Sequence, residues 1–289
     1  MTEATKKILL KMQQNEITEY YVYTAVAKTI KDKTNKEVLL KIANEEKSHA
    51  EIWKRLTGQE KKPLRLKILW FTLLSRLLGF TFALKLMEKG EDGASTNYAK
   101  LAEEIPEAKK IAEDEERHEE ELLQLLNEER LQYVGSMVLG LSDALVELTG
   151  TLAGLTFALQ NNRLVALSGL ITGISATLSM TSSEFLSARS EGHPNPLKSS
   201  LYTGGVYLFT VTCLILPYLL CPANGFAQAL AIMLGIVVAI IFLFTYYISV
   251  AKDLPFRKRF AEMAGISLSV AAVSFFIGLA VKHFLGIDI

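Results

Sequence analysis

Apolar positions follow different rules on either side of Arg130. Before it they recur at spacings of three and four with polar residues between, which predicts amphipathic helices with one buried stripe each. The first stripe is Leu9, Met12, Glu16, Tyr20, Tyr23, Ala27 and Ile30, and the second is Leu39, Ile42, Glu46, His49, Trp53 and Leu56. A third runs through Phe80, Leu84, Met87 or Glu88, Glu91 and Tyr98, and a fourth through Ala108, Ile111, Glu115, His118, Leu122 and Leu125. After Arg130 the apolar residues run on with few charges between them. The stretches 135–159, 164–187, 201–221, 226–250 and 262–281 are each long enough to cross about 30 Å of hydrocarbon, which takes roughly 20 helical residues. The pattern predicts an all-α chain, with a four-helix bundle over 1–130 and a five-helix transmembrane domain over 131–289.

Charge sharpens this division. The chain has 31 basic and 31 acidic residues, a balance that offers no basic surface for nucleic acid. Residues 1–130 hold 24 of the acidic and 23 of the basic residues, leaving 7 and 8 for the remainder. The two parts therefore live in different solvents. Leu66–Leu86 is also apolar, but Lys67, Arg76 and Lys85 make a crossing costly. It reads as a helix lying in the membrane interface or packed on the membrane half, followed by the start of a soluble helix. Pro106 opens the fourth bundle helix, and neither Gly nor Pro follows until Gly135, which predicts one long helix entering the membrane. On such a helix His118 and Asp143 would lie about 37 Å apart.

The links at 188–200 (Arg189, Lys198) and 251–260 (Lys252, Arg257, Lys258, Arg259) are basic and fall on the side where Arg130 enters the first span. The positive-inside tendency puts that side, and the N-terminal bundle, in the cytosol, with the C-terminus outside. MTEATKKILLKMQQNE has no apolar core of signal-peptide length. A multi-pass protein of a prokaryotic plasma membrane is expected. Cys213 and Cys221 form no CxxC pattern, so neither a rubredoxin-type iron site nor a zinc knuckle is expected.

Each bundle stripe is interrupted at its middle by a carboxylate, twice as Glu-x-x-His. Glu45, Glu51, Glu113 and Glu120 fall on solvated faces and need no explanation. A carboxylate on an inward stripe does, because burying it unpaired costs several kcal/mol. Bridging divalent ions capped by imidazoles would satisfy the charge. The order Glu16, Glu46-Lys-Ser-His49, Glu88-Lys-Gly-Glu91, Glu115-Glu-Arg-His118 resembles the rubrerythrin/erythrin branch of ferritin-like proteins over residues 4–128. The resemblance implies a cytosolic ferritin-like bundle with a di-iron centre, or Mn2+ or Zn2+ in its place. Its candidate ligands are Glu16, Glu46, His49, Glu88, Glu91, Glu115 and His118. Ferroxidase or peroxidase turnover is an expectation of the same resemblance, but the rubredoxin module that feeds electrons to rubrerythrin is absent.

Acidic residues are rare in the spans, where they usually mark an ion or proton path. Asp143 and Glu147 lie i, i+4 on one face of the first span, and Met180 and Glu184 repeat the spacing in the second. Carboxylates with a thioether suit Fe2+ better than Mg2+ or Ca2+. Gly140-Leu-Ser-Asp143-Ala-Leu with Gly150 and Ala153-Gly154-Leu, and Ser179-Met180 through Ser187, are similar to vacuolar iron transporter-like proteins. That resemblance implies Fe2+/Mn2+ export against protons by a lipid-embedded homodimer. Asp143 and Met180 stand at matching motif positions. The long acidic insertion of plant-type members is missing after the second span, and Ser136 and Thr172 stand where some members carry carboxylates. Joined in one chain, the two resemblances are similar to the membrane-bound ferritins. A metal exporter is expected, with a membrane-anchored di-iron oxidase as the alternative. One span would suffice for an anchor, so five spans holding carboxylates favour transport.

Overall fold

The computed structural model describes residues 2–90, 101, 105–124 and 129–285, and no strand occurs among them. The chain separates into two compact units, Met1–Leu131 and Gln132–Ile289.

In the first unit, α1 (Glu3–Ala27) and α2 (Lys33–Thr57) pack along each other. Thr2 accepts from the Thr5 amide and Asp32 from the Asn35 amide, so each start satisfies a backbone donor that the helix itself leaves open. Gly58 ends α2 at φ 66°, with its amide on the Lys54 carbonyl. The apolar run over Leu66–Leu86 holds one helix and the start of the next, as the sequence pattern predicts. It divides into α3 (Arg65–Leu78) and α4 (Phe80–Lys89) at Gly79, whose φ of 99° and ψ of 152° suit glycine alone. At 14 residues α3 is about 21 Å long, too short to span. It packs on α1 and α4 through Phe71 and Leu74. α5 (Pro106–Gln124) packs against α2 and α4.

The apolar stripes build two separate clusters. Leu9, Met12, Trp53, Ala108 and Ile111 form one, and Val22, Val26, Leu39, Ile42, Met87 and Leu122 belong to the other. On α1, α2 and α5 alike, the stretch between the two clusters carries the inward carboxylates and histidines. The polar layer is thus walled on both sides by buried apolar core.

The expected continuous helix from Pro106 into the membrane is interrupted. α6 covers Glu129–Gln132, and at Tyr133 (φ −98°, ψ 9°) the backbone leaves helical geometry before α7 begins. The Tyr133 ring stacks on Tyr202 with centroids 5.0 Å apart. The rise-per-residue separation of His118 from Asp143 therefore does not apply.

In the second unit α7 (Val134–Leu159), α8 (Asn162–Ser190), α9 (Pro196–Leu220), α10 (Phe226–Lys252) and α11 (Phe256–Leu285) are long and apolar enough to cross a membrane. Asn161 caps α8 through the amides of Arg163 and Leu164. α7 is the hub, packing on α11, α9, α8 and α10. Small residues permit the closest approaches: a Cβ at Gly140 would lie 2.5 Å from the Thr203 carbonyl oxygen, and one at Gly278 would meet the Gly154 carbonyl oxygen. Cys213 and Cys221 are both free thiols.

Candidate metal centre and membrane carboxylates

Glu16 on α1, Glu46 and His49 on α2, and Glu115 on α5 each bring one ligand atom into a group whose members all lie within 4.8 Å of one another. Glu46 and His49 share a face because they stand one helical turn apart. His49 Nδ1 lies 3.7 Å from Glu16, 3.5 Å from Glu46 and 3.4 Å from Glu115. His118 adjoins the group, with Nδ1 3.1 Å from Glu46 Oε1 and 3.9 Å from Glu115 Oε2. Trp53 donates its indole N–H to Glu16 Oε1 at 3.2 Å. Glu88 receives the Tyr23 hydroxyl at 3.2 Å. Glu91 lies outside the described residues.

Glu46 Oε2, Glu115 Oε1, His49 Nδ1 and His118 Nδ1 are buried without a hydrogen bond of acceptable geometry. Such groups are costly unless something else supplies the missing interaction. Ligand oxygens about 2.0–2.2 Å from a divalent ion stand up to roughly 4.4 Å apart. The observed spacing needs to contract by only a few tenths of an ångström, and the donor set of carboxylates and imidazoles fits a di-metal centre.

The opposite edges of both imidazoles are held. His49 Nε2 faces Asp114 Oδ2 at 3.3 Å, and His118 Nε2 donates to Glu45 Oε2 at 2.6 Å. Arg117 joins the two outer carboxylates, 2.7 Å from Asp114 and 3.1 Å from Glu45. With Nε2 directed outward, each ring presents Nδ1 to the layer, the arrangement metal-bound histidines use. Glu45 therefore corrects the sequence expectation: it is half-buried against His118, while Glu51, Glu113 and Glu120 are exposed. Sequence reasoning missed Glu45, Asp114 and Arg117. Their signal is adjacency to the Glu-x-x-His residues.

Burial drives the titration of the layer. It pushes the Glu46 carboxyl well above the usual range against the opposing pull of His49, with the Glu16 charge adding to the rise. Glu115 is pushed up to about 8 by burial and by the charges of Glu16 and Glu46. His49 loses to burial but gains more from Glu115, Glu16 and Glu46, and is raised to about 12. Outside the layer, burial of Glu45 and Asp114 is outweighed by hydrogen bonds. His118 and Arg117 hold Glu45 low, and Arg117 and His49 hold Asp114 low.

In the second unit Glu147 is exposed and Asp143 and Glu184 are half-buried, and all three meet hydroxyls. The Tyr207 hydroxyl donates to Glu147 Oε2 at 2.8 Å and also interacts with Asp143. Glu184 Oε1 accepts from Ser136 at 2.8 Å and from Ser199, while Thr203 donates to the Ser136 carbonyl. Met180 is half-buried against the apolar core of this unit. Tyr207, fully buried on α9, escaped the sequence reading because an aromatic residue in a span reads as apolar filling.

A family model described as Rubrerythrin matches residues 7–126, which include every residue of the candidate metal centre. One described as VIT family matches residues 134–194, covering Asp143, Glu147, Met180 and Glu184 and ending before α9. No curated protein shows significant similarity to the chain.

Proposed function

For a chain that carries a rubrerythrin domain ahead of a VIT-family membrane domain, we propose that its metal-ion transport is export of Fe2+, and of Mn2+ as a second cargo, from the cytosol in exchange for protons. The bundle captures the cation and raises its supply to the spans. Glu16, Glu46, His49, Glu115 and His118 would hold two iron ions, with Glu88 or Glu91 completing the set. Iron bound there supplies redox chemistry. The protein's own part is to hold the carboxylates in a dry layer and to fix both imidazoles from outside.

The observation that carries the transport reading is the pairing of span carboxylates with neutral hydroxyls. Tyr207, Ser136 and Ser199 solvate Glu147 and Glu184 without cancelling their charge. Such a carboxylate can take a passing cation or a proton and release it again, whereas a lysine or arginine partner would hold it permanently. Two copies are proposed to associate in a prokaryotic plasma membrane, with the bundle cytosolic and the C-terminus outside. The basic links after α8 and α10 support that orientation.

The test is Fe2+ flux in anaerobic proteoliposomes under an imposed pH gradient. Wild type should move iron with the gradient, and Asp143→Asn, which keeps the shape but removes the charge, should not. Absence of flux from a folded wild type holding two metals per chain would leave the spans as an anchor.

A further inference from the structure

Helix α3 carries two apolar faces. Phe71 and Leu74 enter the bundle core beside Val22, Val26 and Ile42. About a third of a turn round, Leu66, Leu69, Trp70 and Leu73 fall within a 100° arc at the helical increment of about 100° per residue. All four are exposed, Leu66 at 83% and Trp70 at 54%. The helix is fastened by its other side. Gln14 donates to the Lys62 carbonyl at 2.9 Å, the Leu64 amide donates to Thr18 at 3.0 Å, and Lys67 pairs with buried Glu19 at 3.6 Å. The open arc is thus presented by a fixed element, and contiguous apolar surface of this kind marks an interaction site.

Two observations say what covers it. Exposed Lys61, Lys62, Arg65 and Arg76 flank the arc and complement an anionic surface. A bilayer is also always within reach. From Gln124, the last residue of α5, to Val134, the first of α7, is ten residue steps, which extend to about 35 Å at most. The first unit therefore never leaves the neighbourhood of the membrane that the second unit spans, and a modest lipid affinity becomes an intramolecular one.

We propose that α3 is an in-plane membrane-docking helix whose Leu66, Leu69, Trp70 and Leu73 insert at the acyl boundary of an anionic leaflet while Lys61, Lys62, Arg65 and Arg76 contact its headgroups. An amphipathic helix with leucines and a tryptophan below and cations at the rim is the form that lies in such an interface. Docking fixes the bundle against the bilayer through an element inserted between its second helix and α4, independently of the link at Gln124–Val134.

The chain supplies its own probe. It contains two tryptophans, Trp53 in the bundle core and Trp70, and none in the spans. The full chain is reconstituted into vesicles of phosphatidylcholine with phosphatidylglycerol, with acyl chains brominated near the headgroup. Bromolipid should quench the Trp70 part of the emission, and Trp70→Phe should abolish that quenching. The double variant Leu69→Glu with Leu73→Glu should reduce it while unchanged Trp53 emission reports a folded bundle. Quenching should weaken without phosphatidylglycerol and at high salt. If Trp70 is quenched by aqueous acrylamide and not by bromolipid, the proposal fails. If Trp70 is shielded from both quenchers, and becomes water-exposed at one chain per vesicle, a second copy covers the face and lipid does not. Equal quenching with and without anionic lipid would overturn the headgroup contacts. The readout involves neither metal nor flux, so it is independent of the transport reading.

Discussion

The two units treat their carboxylates in opposite ways, buried in the bundle and partly or fully exposed in the spans. In the bundle, Glu46, Glu115, His49 and His118 each bury an atom with no hydrogen bond, between two apolar clusters. In the spans, Glu147 and Glu184 accept from hydroxyls of Tyr207, Ser136 and Ser199. An acidic layer with buried atoms lacking hydrogen bonds is compatible with a resident cation. An acidic group already solvated by neutral donors can gain and lose one cheaply. The difference separates holding a metal from passing it on.

If that contrast is right, removing metal acts on one unit only. At a concentration about 1,000-fold above Kd, bound metal adds roughly 4 kcal/mol of stability. Chelation should therefore lower the melting temperature followed by Trp53 emission in a Trp70→Phe background, and leave the helicity of the spans unchanged. Glu46→Gln should abolish the metal-dependent gain. The metal-free bundle should also respond to pH in a defined direction. Glu115 keeps its proton up to about 8 rather than the ordinary 4.5, and His49 up to about 12 rather than 6.5. The folded state thus binds more protons than the unfolded chain, and stability falls as pH rises from 4.5 to 8, with the His49 part lost from 6.5 to 12. Urea midpoints at pH 5 and pH 8 check the sign. Metal loading must displace these protons, so apparent affinity should rise over the same window.

A smaller effect isolates the other unit. Gly140→Ala drives a methyl to 2.5 Å from the Thr203 carbonyl oxygen and should cost about 1–3 kcal/mol. Melting in detergent should show this as a loss confined to the spans, with the metal-dependent shift of the bundle intact. Arg117→Ala releases Asp114 and Glu45 from each other and should weaken metal binding about tenfold, or ~1.4 kcal/mol, by loosening both imidazoles. Competition against a metal chelator reads that change. Least of all, Lys41→Ala breaks an exposed 2.6 Å pair with Glu121 and should change stability by less than about 1 kcal/mol.

What the sequence revealed, and what it hid, follows from distance along the chain. Glu16, Glu46, His49, Glu115 and His118 stood out because a charged residue on an apolar stripe contradicts its own periodicity, and the structure gathers all five. The five spans were legible for a similar reason: length and hydropathy alone nearly determine them. Glu45 and Asp114 were hidden because each sits one residue, about 100° of helix, from an inward carboxylate. A helical wheel assigns them to solvent, yet their side chains reach back to His118 and His49. The break at Tyr133 was hidden too, since it does not interrupt the hydrophobic pattern and lies beside a ring stack with Tyr202, 69 residues away.

Fe2+ flux at two iron concentrations tests most directly whether holding and passing are separate tasks of the two units. Wild type, Glu46→Gln and Asp143→Asn would be compared in anaerobic proteoliposomes, once far below and once far above the Kd of the bundle. Glu46→Gln should lose flux at low iron and recover it at saturation, while Asp143→Asn should be inactive at both. Equal flux from Glu46→Gln and wild type at low iron would show that the bundle does not feed the spans and would contradict the division of labour described here.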